Sequence, residues 1–289
     1  MSNYKRLLTI QDVSCVGQCS ATVALPVISA FGTECCVYPT GVLSTHTAGF
    51  KGYTFRDLTS DFPLAIEHWE KENIKFDFIY TGYLCGKEQI DCVKKCLGLL
   101  SADGKFIVDP VMADHGKFYP GFDDAFASEM GKLCALAYAV IPNITEACFL
   151  TGERYLDGGY DESYIRRLIG KLLALGAENV VLTGVGFKPD EVGIAVAGKD
   201  VSSDGEIRYY FEKRIPHDFH GTGDVYSSSV AGGLSVGMSL FDAACLAVDF
   251  TVECMKKTYA DRNEHWYGVK FERAIPYLCE RLKKLGKTE

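Results

Sequence analysis

Short apolar runs alternate with helix-length segments along most of this chain, and no other feature narrows its fold as far. The strand-like runs are Leu7 to Ile10, Cys35 to Tyr38, Phe76 to Tyr80, Phe106 to Val108, Tyr138 to Ile141 and Asn179 to Leu182. Between them lie Ala21 to Phe31, Pro63 to Asn73, Glu88 to Leu100, Asp124 to Ala137 and Ser163 to Leu175, all helix-like. Strands joined by helices run parallel, and a parallel sheet needs helices on both faces. Two later runs, Val192 to Ala197 and Ile207 to Phe211, flank the turn signal Ser203-Asp204-Gly205 and read as a pair. The remainder is helical: Val225 to Val236, Leu240 to Tyr259 and Arg273 to Lys284. The expectation is an α/β fold, a three-layer α/β/α sandwich with a central, mostly parallel sheet. A length of 289 residues is long for one core but within reach of a single domain over residues 1–289. No low-complexity linker or solenoid repeat divides it.

Bulk properties remove several function classes. The formal net charge of −8 gives no broad basic face, so nucleic acid is not an expected partner. No apolar run reaches membrane-span length, so no membrane partner is expected either. The segment Met1 to Arg6 runs straight into a strand-like stretch without a signal region, which makes the cytoplasm the default location. The twelve cysteines are scattered through helices and strands, with no CxxC pair and no zinc-finger spacing. They read as reduced, packed thiols.

In parallel sheets the functional loops gather at the carboxyl ends of the strands. Those ends carry Gln11-Asp12, Thr81-Gly82-Tyr83, Asp109-Pro110, Pro142-Asn143 and Thr183-Gly184, which would face one cleft. The sharpest motif is Gly221-Thr222-Gly223-Asp224, set before the small and apolar helix that begins at Val225. Free N–H groups at such a helix start attract anions, and two glycines let a phosphate come close. A carboxylate beside a phosphate is repelled, so Asp224 asks for a reason. As a general base it would take a proton from a hydroxyl that attacks phosphorus. The plainer alternative is an acid that only favours the helix dipole.

Asp109 and Glu146 read individually as a turn acid and a first-turn acid. Together with Asp224 they place several carboxylates at one sheet edge, which suits Mg²⁺ held largely through waters. An acidic chain that holds ATP must offset the phosphates locally, with N–H groups, a few lysines and Mg²⁺. The segment Ala113 to Gly121 reads either as a flap over the site or as a surface loop. No P-loop and no G-x-S-x-G elbow occurs, and Gly184-x-Gly186 continues with Pro189 in place of a third glycine.

These pieces, in this order, resemble the ribokinase superfamily, and within it the pyridoxal/pyridoxamine kinases. The resemblance runs over nearly the whole chain. Its carriers are Ile10-Gln11-Asp12, Gly17, Leu43-Ser44-Thr45-His46-Thr47, Thr81-Gly82-Tyr83-Leu84, Asp109-Pro110-Val111-Met112, Pro142-Asn143-x-x-Glu146 and the Gly221 to Asp224 tetrad. The family implies a ribokinase-like fold and phosphoryl transfer from ATP to the 5′-hydroxymethyl group of a B6 vitamer. It implies Asp224 as the base, and the N–H groups of Gly221, Thr222 and Gly223 as the anion hole. Asp109, Asn143 and Glu146 would place Mg–ATP, with Thr183 and the stretch from Tyr209 through Phe211 to Glu212 near the nucleotide. Asp12, Thr47 and Tyr83 would line the vitamer pocket. Members are usually homodimers, and many need a monovalent cation such as K⁺. Three departures bear on substrate choice. Asp12 stands where many members have Ser, Thr45 where many have Asn, and no cysteine lies on the flap segment. A hydroxymethylpyrimidine kinase is the alternative enzyme, since its substrate is also a flat nitrogen heterocycle with a CH₂OH arm. A B6- or nucleotide-binding protein without turnover is the alternative outside enzymes.

Overall fold

A computed structural model describes residues 4–201 and 205–287, and its central strands send alternate side chains into two separate apolar layers. In chain order the strands are β1 (Arg6–Ser14), β2 (Glu34–Leu43), β3 (Phe55–Asp57), β4 (Phe76–Thr81), β5 (Leu100–Val108), β6 (Ala113–Asp114), β7 (Lys117–Phe118), β8 (Ala139–Val140), β9 (Asn179–Val185), β10 (Glu191–Gly198) and β11 (Arg208–Lys213). The helices are α1 (Ala21–Ala30), α2 (Phe62–Lys71), α3 (Lys87–Cys96), α4 (Asp124–Cys134), α5 (Ile144–Thr151), α6 (Glu162–Leu175), α7 (Thr222–Ser235), α8 (Leu240–Tyr259) and α9 (Ile275–Lys284). Leu8, Ile79, Val108, Val180 and Ala195 pack under α2 to α6. Leu7, Tyr80, Ile107, Val181 and Ile194 pack under α1, α7, α8 and α9. The two-residue period of a strand therefore builds both helix layers at once.

One sheet runs in the order β11-β10-β9-β8-β5-β4-β1-β2-β3. Its middle, from β9 to β2, is parallel, and β3, β10 and β11 add antiparallel edges. The expected mostly parallel α/β/α sandwich is the observed fold. The late pair is antiparallel, with Val196 opposite Arg208; Ser203 and Asp204 of its turn lie outside the described residues. No described helix is long and apolar enough to cross a membrane. All twelve cysteines are free thiols.

Some boundaries differ from the sequence expectation. The helix expected to reach Leu100 ends at Cys96, and Leu97–Leu99 forms a single 3₁₀ turn. Leu100 is taken by the sheet instead, where it pairs with Phe76. β1 does not stop at Ile10. It continues to Ser14 because β2 extends beside it, with a bulge between Gln11 and Val13. Bulges re-aim side chains, and Asp12 sits at this one.

Candidate active site

The chain enters α7 through Gly221, whose φ of +77° suits glycine and no other residue here. A Cβ on Gly221 would lie 2.0 Å from the carbonyl oxygen of Gln18. The Val225 N–H bonds the Gly221 carbonyl at 3.0 Å, so the N–H groups just ahead of Val225 have no helical carbonyl behind them. Gly223 differs from Gly221. A Cβ there would meet nothing within 4 Å. A side chain at Gly223 would therefore project into open space beside the first-turn amides.

Asp224 follows in the first turn of α7. Burial pushes its carboxyl up to about 7, and the charges of Asp109 and Asp12 push the same way. A hydrogen bond from the Ser20 backbone opposes them. Asp109, at the end of β5, is buried and accepts a 2.6 Å hydrogen bond from Ser227 Oγ of α7. Glu146 is buried too. One of its oxygens accepts the Met112 N–H at 3.0 Å and the other the Asn143 N–H at 2.9 Å. Asn143 returns a bond to the Glu146 N–H, which closes a capping box at the start of α5. Burial, then mutual repulsion, raises Glu146 well above the usual carboxylate range, and burial raises Asp109. Asp12 is raised by burial as well, and accepts a hydrogen bond from Ser14 at 2.8 Å.

Four carboxylates thus meet at one end of the sheet. Among the described residues, no lysine or arginine forms an ion pair with any of them. No group of three described His, Cys, Asp or Glu side chains is disposed to hold a metal ion directly.

The other expected site residues divide. Tyr83 is half-buried near Asp12, whose charge helps raise its phenol after burial has done most of the work. Thr183 bonds the Pro142 carbonyl at 3.3 Å and bridges to Asn143, so it stands beside the start of α5. Thr47 is exposed on the loop after β2. Beside it, His46 is buried, accepts the Ala48 N–H on Nδ1 and therefore donates from Nε2 to the Tyr267 carbonyl at 2.7 Å. Phe211 and Glu212 stand on the edge strand β11, apart from the acid cluster. Phe211 packs in a ring cluster with Phe187 and Tyr209, and strand alternation turns Glu212 to the opposite face.

Sequence reasoning missed Ser227 and Tyr80, which lie buried beneath the acids. Tyr119, in the segment read as a flap or a surface loop, brings its phenol into the field of Glu146, Asp109 and Asp224. The β6–β7 hairpin is pinned by the Gly116 N–H to Thr145 Oγ1 at 3.0 Å and by Phe118 stacked on Phe149.

A doubly covered parallel sheet with this acid cluster at its carboxyl end is the arrangement of the ribokinase-like class. Comparison with known proteins narrows the class. The phosphomethylpyrimidine kinase family matches residues 25–268, and the chain belongs to that family. It is 26% identical over 258 residues to the hydroxymethylpyrimidine/phosphomethylpyrimidine kinase of Mycobacterium tuberculosis, covering 88% of this chain and 89% of that one. A Bacteroides thetaiotaomicron protein, described as a phosphomethylpyrimidine kinase and crystallised with pyridoxal, superposes with a TM-score of 0.88 at 29% identity. That match covers 95% of this chain and 96% of the other. Pyridoxal kinase from Lactobacillus plantarum superposes with a TM-score of 0.88 at 28% identity, over 97% and 98% of the two chains.

Proposed function

We propose that the protein transfers the γ-phosphoryl group of ATP to the 5′-hydroxymethyl oxygen of pyridoxal, pyridoxine or pyridoxamine. The observation that carries this is Asp224. Its carboxyl is pushed up to about 7, beside first-turn amides that no side chain covers. A base poised near neutrality is matched to an alcohol proton. In the proposed step the hydroxyl proton passes to Asp224, the alcohol oxygen bonds to phosphorus, and the bond from phosphorus to ADP breaks. The N–H groups of Gly221, Thr222 and Gly223 would cradle the phosphoryl group as charge builds on it. Asn143 and Thr183 would border the nucleotide, with Phe211 and Glu212 further out along it. Asp12, Thr47 and Tyr83 would face the ring.

Mg²⁺ fits the acid cluster through its waters. Asp109 Oδ1 has only a long 3.4 Å contact from the Val111 N–H, and the Glu146 oxygens each keep a lone pair beyond their backbone bond. When bound, the ion supplies neutralisation of phosphate charge. A monovalent cation would add to the same offset. The exposed apolar residues Val42 and Phe55 at the β2–β3 edge support a homodimer.

The second reading is a hydroxymethylpyrimidine kinase, favoured by the matched family and by the M. tuberculosis relative. The pyridoxal in the Bacteroides structure favours the B6 reading. Coupled ADP release with Mg²⁺ and K⁺ present decides between them. We expect kcat/KM for at least one B6 vitamer to exceed that for hydroxymethylpyrimidine. The reverse order would replace our substrate, and no ADP release with any of them would favour a binder without turnover.

A further inference from the structure

Between β1 and α1 the chain makes a partly exposed bend through Cys15, Val16, Gly17 and Gln18. The Cys15 N–H donates to the Leu43 carbonyl at 2.8 Å, and the Val16 carbonyl accepts the His46 N–H at 3.2 Å. Gln18, further along, is held through its side chain. Its Nε2 donates to the two carboxylate oxygens of Glu272 at 3.0 and 3.1 Å, and its Oε1 lies 2.7 Å from His265 Nε2. An ionised carboxylate cannot donate, so the amide nitrogen must face Glu272 and the amide oxygen must face His265. The amide therefore has one orientation, and His265 carries a proton on Nε2. Gly268 leaves room for this arrangement, since a Cβ there would lie 2.6 Å from Gln18 Oε1.

His265, Gly268 and Glu272 all belong to the connection between α8 and α9. Glu272 sits in the 3₁₀ turn Phe271–Arg273, and Val269 and Phe271 beside it are buried in the apolar layer under α8 and α9. The connection is thus fixed to the core. The other end of Gln18 meets the tetrad, because its carbonyl oxygen fills the space where Gly221 lacks a side chain. Gly221 makes the left-handed turn into α7, and the first-turn amides follow it directly. One residue therefore spans from a core-anchored segment to the turn that opens the tetrad. A hydrogen bond as exposed as the one to Glu272 adds little to the stability of a fold. Its place against the tetrad gives it a use that stability does not.

We infer that Gln18 is a positioning residue for the anion cradle, through which the α8–α9 connection sets where the first-turn amides of α7 stand. Without the side-chain bonds the Gln18 carbonyl can shift, the Gly221 turn can follow it, and the amides move with the turn. Those amides act on charge that builds only as the phosphoryl group moves, so a small displacement lowers the rate more than it lowers binding. The inference rests on the proposed role of the tetrad, and it holds for a B6 vitamer or a pyrimidine as acceptor.

Three variants test it, each assayed beside the wild-type chain with whichever acceptor that chain phosphorylates. Gln18→Ala removes the amide, and Gln18→Glu sets two carboxylates face to face. In both, kcat should fall about 10- to 100-fold, while the KM values for ATP and for the acceptor stay within about threefold. Gln18→Ala should melt within about 3 °C of wild type, because the lost bonds are exposed. The exchange of Gln18→Glu together with Glu272→Gln reverses donor and acceptor but keeps the bond and the His265 contact. It should return kcat to within about threefold of wild type. Three results each overturn the inference while leaving the proposed function standing. They are a wild-type kcat in Gln18→Ala, a parallel loss in kcat, both KM values and melting temperature, or an exchange no faster than Gln18→Glu alone. A wild-type chain that releases no ADP with either acceptor class overturns both.

Discussion

Replacing Asp224 by asparagine should make a dead enzyme that is more stable than the wild type. Burial and the charges of Asp109 and Asp12 raise the carboxyl from 3.8 to about 7. A rise of that size corresponds to about 4 kcal/mol in favour of the protonated form. The side chain keeps partial solvent contact, so screening reduces the figure to about 2 kcal/mol. The sign follows from linkage. A carboxyl with a raised folded-state pKa stabilises the fold fully below about 4, and this contribution is lost as pH rises through about 7. Asparagine never ionises and escapes the loss. Its melting temperature should therefore exceed that of wild type by about 3 °C at pH 8, with the gap falling to roughly a third of that at pH 5. In the same variant kcat should drop about 100-fold or more. Wild-type kcat/KM should carry an acid limb near pH 7, below which the base is protonated. Differential scanning fluorimetry across pH and coupled ADP detection read these quantities. A near-wild-type kcat removes Asp224 from the chemistry. A melting gap absent at pH 8, or flat with pH, defeats the argument that the carboxylate is held against its solvation.

The two glycines of the tetrad should separate stability from activity. Gly223→Ala has open space for its methyl group and should melt at or above wild type, while kcat falls about 100-fold because the methyl fills the anion cradle. Gly221→Ala meets the Gln18 carbonyl and a positive φ, and should lose about 2 kcal/mol or more in urea unfolding. Glu146→Gln keeps an oxygen for one of the two backbone donors and should fold, but the Mg²⁺ concentration for half-maximal rate should rise about tenfold or more. An unchanged Mg²⁺ dependence would leave Glu146 as a helix cap alone.

How far sequence could reach depended on how local each cause was. The parallel core was legible because each strand is an apolar run between helix-length segments, and that pattern needs no partner to be seen. β3 was not legible, because three exposed residues on an edge carry no alternation. The tetrad was legible because two glycines and an acid before an apolar helix form one contiguous signal. The bond from Ser227 to Asp109 joins residues 118 apart, and only the fold brings them together. Asp12 was expected at a strand end; the bulge that aims it arises from pairing with β2 and leaves no mark in β1 itself.

The placement of strain makes the strongest case that this end of the sheet is the working end. Four non-glycine residues have positive φ among the described residues: Ser20, Asn73, Val111 and His115. Asn73 follows the end of α2, where asparagine commonly closes a helix. The other three border the acid cluster. Ser20 is bridged to Val13, just past Asp12, and the Val111 N–H reaches Asp109. His115 turns the hairpin that Gly116 ties to Thr145, next to Glu146. Val111 is β-branched and is the costliest of the three to hold in this conformation. What the three strained residues share is a place in the segments that follow β1 and β5 at this end of the sheet. The same end holds four acids with which no described lysine or arginine forms an ion pair. Strain and uncompensated charge on one cleft are the mark of a site organised for a ligand that the fold itself does not supply.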